Sequence, residues 1–187
     1  WIIKIDQNGN KEWDKTFGGN DLDMLLTIQQ THDNGYILGG TSFSDISGDK
    51  TTAHKGSLDY WVIKVDQNGN KEWDKTFGES SIDILYALQQ TNDNGYILGG
   101  ESSSQAGEDK SENSIGGSDY WIIKIDEQGN IQWDKTFGGV SDETLHALKK
   151  SNDGVYILGG SSSSNISGDK IENSNGFNDF WVIKIDG

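Results

Sequence analysis

The chain contains no cysteine, no proline and no arginine, and a single methionine among its 187 residues. Without cysteine there is neither a disulfide nor a thiolate metal site, and the redox compartment stays open. Without arginine the chain lacks the planar, bidentate fork by which proteins commonly grip carboxylate, sulfate or phosphate. A formal net charge of −15 and a pI of about 4.4 argue against a nucleic-acid partner, because phosphate binding needs clustered basic residues. No apolar run reaches membrane-spanning length and no signal-peptide pattern is present, so no membrane insertion is expected. There is also no long stretch of 3.6-residue periodicity, which removes helical repeats from consideration.

What is there is one sixty-residue unit written three times. Trp1, Trp61, Trp121 and Trp181 open the phrases WIIKID, WVIKVD, WIIKID and WVIKID; WDKTFG begins at Trp13, Trp73 and Trp133, and YILGG at Tyr36, Tyr96 and Tyr156. The array divides into repeats 1–60, 61–120 and 121–180, with the start of a fourth at 181–187, and is expected to be a segment of a longer protein. Each unit of such an array hides its apolar face only against its neighbours.

Four strands are predicted per unit. Tyr60–Val65 alternates with most of both faces apolar, as a strand packed on two sides does. The turn residues Asp66 to Asn70 lead to a second strand, Lys71–Phe77. Ile84–Thr91 is the third, with Leu85, Ala87 and Gln89 on one face and Tyr86 and Leu88 on the other. Asn92-Asp93-Asn94-Gly95 turns the chain into Tyr96–Ser102, where Gly99 and Gly100 invite close approach of a neighbouring backbone or ring. A polar loop of about sixteen residues follows, long for a connection. Antiparallel strands with short Asn-Gly turns describe an all-β chain of β-propeller blades, four strands per repeat. The competing architecture is a β-solenoid, with parallel strands and shorter coils.

These residues carry a resemblance. The pattern from W-[IV]-I-K-[IV]-D through G-N-x-x-W to T-x-D-x-G-Y-I-L-G-G is similar to the propeller-type repeats of secreted and surface proteins of bacteria and archaea, over essentially the whole chain. Asp66 to Trp73 resembles the tryptophan-docking motif of quinoprotein propellers, in which the Trp locks adjacent blades. Thr91 to Gly95 resembles the Asp-box turn, with Leu98 at the aromatic position. The resemblance implies structural roles for both motifs, and a phasing in which Leu85–Thr91 is the inner strand, followed outward by Tyr96–Ser102, Tyr120–Asp126 and Ile131–Phe137. The chain then begins with the outer half of one blade, contains two complete blades and stops three strands into a fourth. A ring of about four to eight blades would need either self-association or further repeats of a parent protein.

Each candidate site has a plain structural alternative. Asp23, Asp83 and Glu143 recur just before the inner strand; as a ring they could hold Ca²⁺, the one cofactor the sequence suggests, or each could cap a local turn. Asp49, Asp109 and Asp169, with Asp59, Asp119 and Asp179, lie in or beside the long loop and offer carboxylates to a cation or a sugar hydroxyl, or simply to solvent. Trp13, Trp73, Trp133, Trp61 and Trp121 sit at two fixed positions inside apolar strands, where packing between blades is the default and stacking on a sugar the alternative. His32, His54 and His146 occupy three different positions in the unit, which is no basis for a symmetric metal site. Asp6 to Asn10 fails as an EF-hand because its Gly is misplaced and Phe17 stands where a bidentate Glu is needed.

No nucleophile context is visible, and near-identical blades are expected to duplicate their acids, whereas active sites usually break symmetry. The expected function is a non-catalytic binding or display module of a secreted or cell-surface protein, recognising a glycan or protein through repeated blade loops. The alternatives are a structural spacer or assembly unit, and a glycoside hydrolase-like propeller with paired carboxylates at the channel mouth.

Overall fold

A computed structural model of the chain describes residues 1–151 and 154–186; Asn152, Asp153 and Gly187 lie outside the described residues, so the fourth repeat is described only through Asp186. The fold is all-β and antiparallel throughout. Strands β1 (Ile2–Ile5) and β2 (Lys11–Lys15) pair alone; β3 (Asp23–Gln30), β4 (Tyr36–Ser42), β5 (Asp59–Val65) and β6 (Lys71–Phe77) form one blade in that order. The next blade is β7 (Asp83–Gln90), β8 (Tyr96–Ser102), β9 (Asp119–Ile125) and β10 (Ile131–Phe137), and a last sheet holds β11 (Glu143–Lys150), β12 (Tyr156–Ser162) and β13 (Asp179–Ile185). This is the two, four, four and three expected from the repeat phasing, and antiparallel pairing rules out the solenoid. The inner strands β3, β7 and β11 face one another across successive blades.

The inner strands depart from the expected alternation. In β7 the register shifts between Leu85 and Ala87, which face Gly100 and Gly99, so Tyr86 is a bulge with no cross-strand partner. The bulge resets the phase, and Leu85 and Leu88, assigned to opposite faces from sequence, join one core cluster while Ala87 joins the next. The same bulge recurs at Leu26 and at His146.

Between the blades lie continuous apolar seams. Tyr60 donates its hydroxyl to the Trp121 carbonyl of the next blade at 3.1 Å, and Tyr120 does the same to Trp181 at 3.0 Å. The turns are built for the docking tryptophans: Asp66 accepts the amides of Asn68 and Asn70, both at 2.8 Å, and Gly69 adopts φ +76°. Trp13 reaches across from the preceding sheet and donates its indole N–H to the Gln67 carbonyl at 3.2 Å. A Cβ on Gly69 would meet the Trp13 ring at 3.1 Å, and one on Gly129 the Trp73 ring at 3.3 Å, so glycine serves both the backbone angle and the ring. On β3 of the first complete blade Leu25 and Ile28 are exposed, whereas their repeat counterparts Leu85 and Leu88 are buried.

Candidate functional site: the seams between blades

The repeated acids are bound to their own surroundings. Asp23 Oδ2 accepts the Gly19 amide at 2.7 Å and Oδ1 the Ser42 hydroxyl at 2.6 Å; Glu143 does the same with Gly139 at 2.7 Å and Ser162 at 2.6 Å. Asp83 accepts the Glu79 amide and the Ser104 hydroxyl, each at 2.9 Å. Each acid thus caps the turn that leads into its inner strand. Among the described residues no group of three or more His, Asp or Glu side chains converges on a point where a metal could sit.

The loop acids do similar work. Asp49, Asp109 and Asp169 accept the amides of Gly18, Gly78 and Gly138 at 3.3, 3.3 and 3.1 Å, pinning the long loop to the connection into its own blade. Asp59, Asp119 and Asp179 accept the amides four residues earlier, from Lys55, Ile115 and Asn175, at 2.5, 2.5 and 2.6 Å.

Across the two later seams, however, two of these acids come close. Asp59 ends a loop of one blade where Asp83 starts the inner strand of the next, and the Asp83 amide donates to the Leu58 carbonyl at 2.6 Å. Asp59 Oδ1, Asp83 Oδ1 and Asp119 Oδ1 are buried without a hydrogen-bond donor, and Glu143 is the acid beside Asp119. Two carboxylates cannot donate to each other unless one is protonated. Burial, followed by the Asp83 charge, pushes the Asp59 carboxyl up to about 6; burial and Glu143 push Asp119 up as well.

A raised acid favours the protonated folded state, so stability is gained as pH falls through the folded pKa toward the unfolded one. Asp33 and Asp93 act in the opposite direction. Against a desolvation that would raise it, Asp33 is drawn down to about 2 by the Thr31 hydroxyl and Lys64, and Asp93 to about 2 by Thr91 and Lys124. Their contribution is lost below about pH 4. Urea titrations should therefore show the fold more stable at pH 5 than at pH 7.5, by about 1–2 kcal/mol per acid pair, with a fall below pH 4. Asp59→Asn should flatten the upper limb; a profile unchanged by that substitution would remove the pair as its cause.

On the docking-tryptophan side, the seam between the two complete blades opens into a cleft. It has a volume of about 500 Å³ and is lined by Trp73 and Tyr96, with Asp33, Lys64, Glu72 and Asn94 among its polar walls. Trp73 is half-buried, with its ring 6.1 Å from that of Tyr96 at 66°. Lys64, nearly buried in an apolar strand, holds Asp33 at 2.9 Å and Glu72 at 2.8 Å, which fixes the charged rim. The preceding seam repeats the chemistry with Trp13 and Tyr36 at 5.9 Å and a Lys4–Glu12 pair at 2.7 Å. At the following seam Lys124 holds Asp93 at 2.9 Å and Gln132 at 3.0 Å below Trp133.

Trp61 and Trp121, by contrast, are buried and donate to Asp74 and Asp134 at 3.2 and 3.0 Å. Asp33, Lys64 and Glu72 did not stand out from the sequence, because Lys64 falls on the period of a strand and its partners come from other elements. The available signal was a lysine recurring within an apolar phrase at 4, 64, 124 and 184. No protein-family model matches the chain, and no curated protein matches it.

Proposed function

We propose that the chain is a non-catalytic recognition module of a secreted or cell-surface protein, and that it binds a glycan in the clefts between its blades. The supporting observation is the pairing, at Trp73, of a half-buried tryptophan face with a fixed rim of carboxylates, amides and a lysine, echoed at Trp13 by the Tyr36 ring and the Lys4–Glu12 pair. Sugars need such a combination: an apolar ring face to stack their C–H groups and planar polar groups for their hydroxyls. The loop acids are spent on backbone amides, which moves the expected binding surface from the loops to the seams. They are equally ill-placed to act as a free acid and base pair. Equivalent weak sites on one rigid array gain by avidity, and further repeats or a second copy covering the apolar face of β3 would add more of them.

The test is titration of neutral oligosaccharides followed by tryptophan fluorescence and calorimetry. Binding with more than one site per chain, weakened at least tenfold by Trp73→Ala with the far-ultraviolet spectrum retained, is the expected result. Wild-type protein that binds no oligosaccharide, or affinity indifferent to Trp73, would leave the spacer reading in its place.

A further inference from the structure

The three copies agree in nearly every structural residue, yet at three neighbouring positions around the inner strands their chemistry diverges. The sets are Met24, Ile84 and Thr144; Leu26, Tyr86 and His146; and Thr41, Glu101 and Ser161. The structure brings the polar members of these sets together at one seam only. Thr144 donates its hydroxyl to Glu101 Oε2 at 2.6 Å, and the Tyr86 hydroxyl lies 3.4 Å from Oε1. The His146 ring stands 5.7 Å from the Tyr86 ring at 63°. Tyr86 and His146 are the bulge residues of β7 and β11, so their side chains are freed from the cross-strand register.

Glu101 is costly where it stands. Its counterpart Thr41 ties a seam together, donating to the Asp59 carbonyl at 2.9 Å and sharing the Asp83 carbonyl at 3.1 Å. Glu101 exchanges that tie to backbone carbonyls for the Thr144 hydroxyl across its own seam, and adds a half-buried negative charge near the buried Tyr60 hydroxyl. Among the described residues no basic group forms an ion pair with it. Hydroxyl donors orient the carboxylate but leave its charge uncompensated. A residue that places an unpaired charge where its repeat counterparts carry a neutral hydroxyl breaks a local rule, and such a place is where function is expected.

We infer that Glu101, with Tyr86, Thr144 and His146, forms a single-copy site for a protonated amine, and that its ligand is an amino sugar. The carboxylate supplies the counter-charge, and the half-buried Tyr86 ring a face for the cation. The net charge of −15 attracts cations to the whole surface. The ligand class rests on the glycan reading above; the ammonium site itself does not.

The experiment compares a glucosamine tetramer with cellotetraose by calorimetry at pH 6 and 150 mM salt. Wild-type protein should take the glucosamine tetramer at one additional site per chain, at least tenfold more tightly than cellotetraose. Glu101→Thr should abolish that preference while raising the unfolding midpoint, because it restores the tie seen at Thr41. Glu108→Gln, which removes a charge from a side chain 86% exposed, should change nothing, separating the site from general attraction. Equal binding of the two tetramers, a preference surviving Glu101→Thr, or destabilisation by that substitution would each overturn the inference. Neutral binding that depends on Trp73 would then still support the seam clefts, and an amine preference independent of Trp73 would support this site without them.

Discussion

Gly100→Ala is expected to destabilise the fold by at least about 4 kcal/mol or to prevent folding. A Cβ at this position would lie 1.9 Å from the Ile84 carbonyl oxygen and 2.7 Å from the Tyr60 hydroxyl. The first is backbone of the neighbouring strand, held by the bulge at Tyr86, and the second is fixed by its bond to the Trp121 carbonyl at 3.1 Å. Neither can withdraw without opening β7 from β8 or one blade from the next. Gly159 is the internal control, because a Cβ there meets nothing within 4 Å. Gly159→Ala should be neutral or stabilising by up to about 1 kcal/mol, through the reduced freedom of the unfolded chain. Equal midpoints for the two variants in urea would show that close approach is not what the Gly-Gly pair is for.

Trp121→Ala should cost about 3–5 kcal/mol. The side chain is fully buried, its ring lies 5.0 Å from that of Tyr60, and its indole N–H is bonded to Asp134 at 3.0 Å. Truncation would leave a cavity in the seam and remove one donor from a buried carboxylate. The same repeat position offers a graded series, since Trp1 is 71% exposed. Trp1→Ala should cost less than about 1 kcal/mol in an isolated chain. A cost at Trp1 as large as at Trp121 would mean that its face is covered in solution.

Strand boundaries were legible because turn residues and two-residue alternation bracket each element: Lys71–Phe77 and Tyr96–Ser102 are as expected from sequence, and Ile84–Thr91 differs from β7 by one residue at each end. The bulge at Tyr86 was not legible, because a local pattern of apolar residues is equally consistent with an unbroken period until the partner strand fixes the register. The acid pairs at Asp59 with Asp83, and at Asp119 with Glu143, were hidden for another reason. Their members belong to different blades and meet only when the seam forms. Comparing the three copies position by position could have exposed Glu101, since it is an acid where the others carry Thr41 and Ser161.

The near-identity of the seams also bears on how the chain reaches its fold. Every YILGG strand finds the same partner chemistry in β5, β9 and β13, and Gly40, Gly100 and Gly160 each face a tryptophan of the same phrase. A refolding chain therefore meets wrong partners that are locally as satisfying as the right ones, offset by sixty residues. Loop length separates them kinetically, because the native partner is the nearest in sequence and its closure is the least costly. Slow phases that grow with protein concentration, as strands exchange between molecules, are the signature this symmetry imposes. The loops between β4 and β5 and between β8 and β9, short beside the sixty-residue repeat, thus keep each strand with the partner from its own stretch of chain.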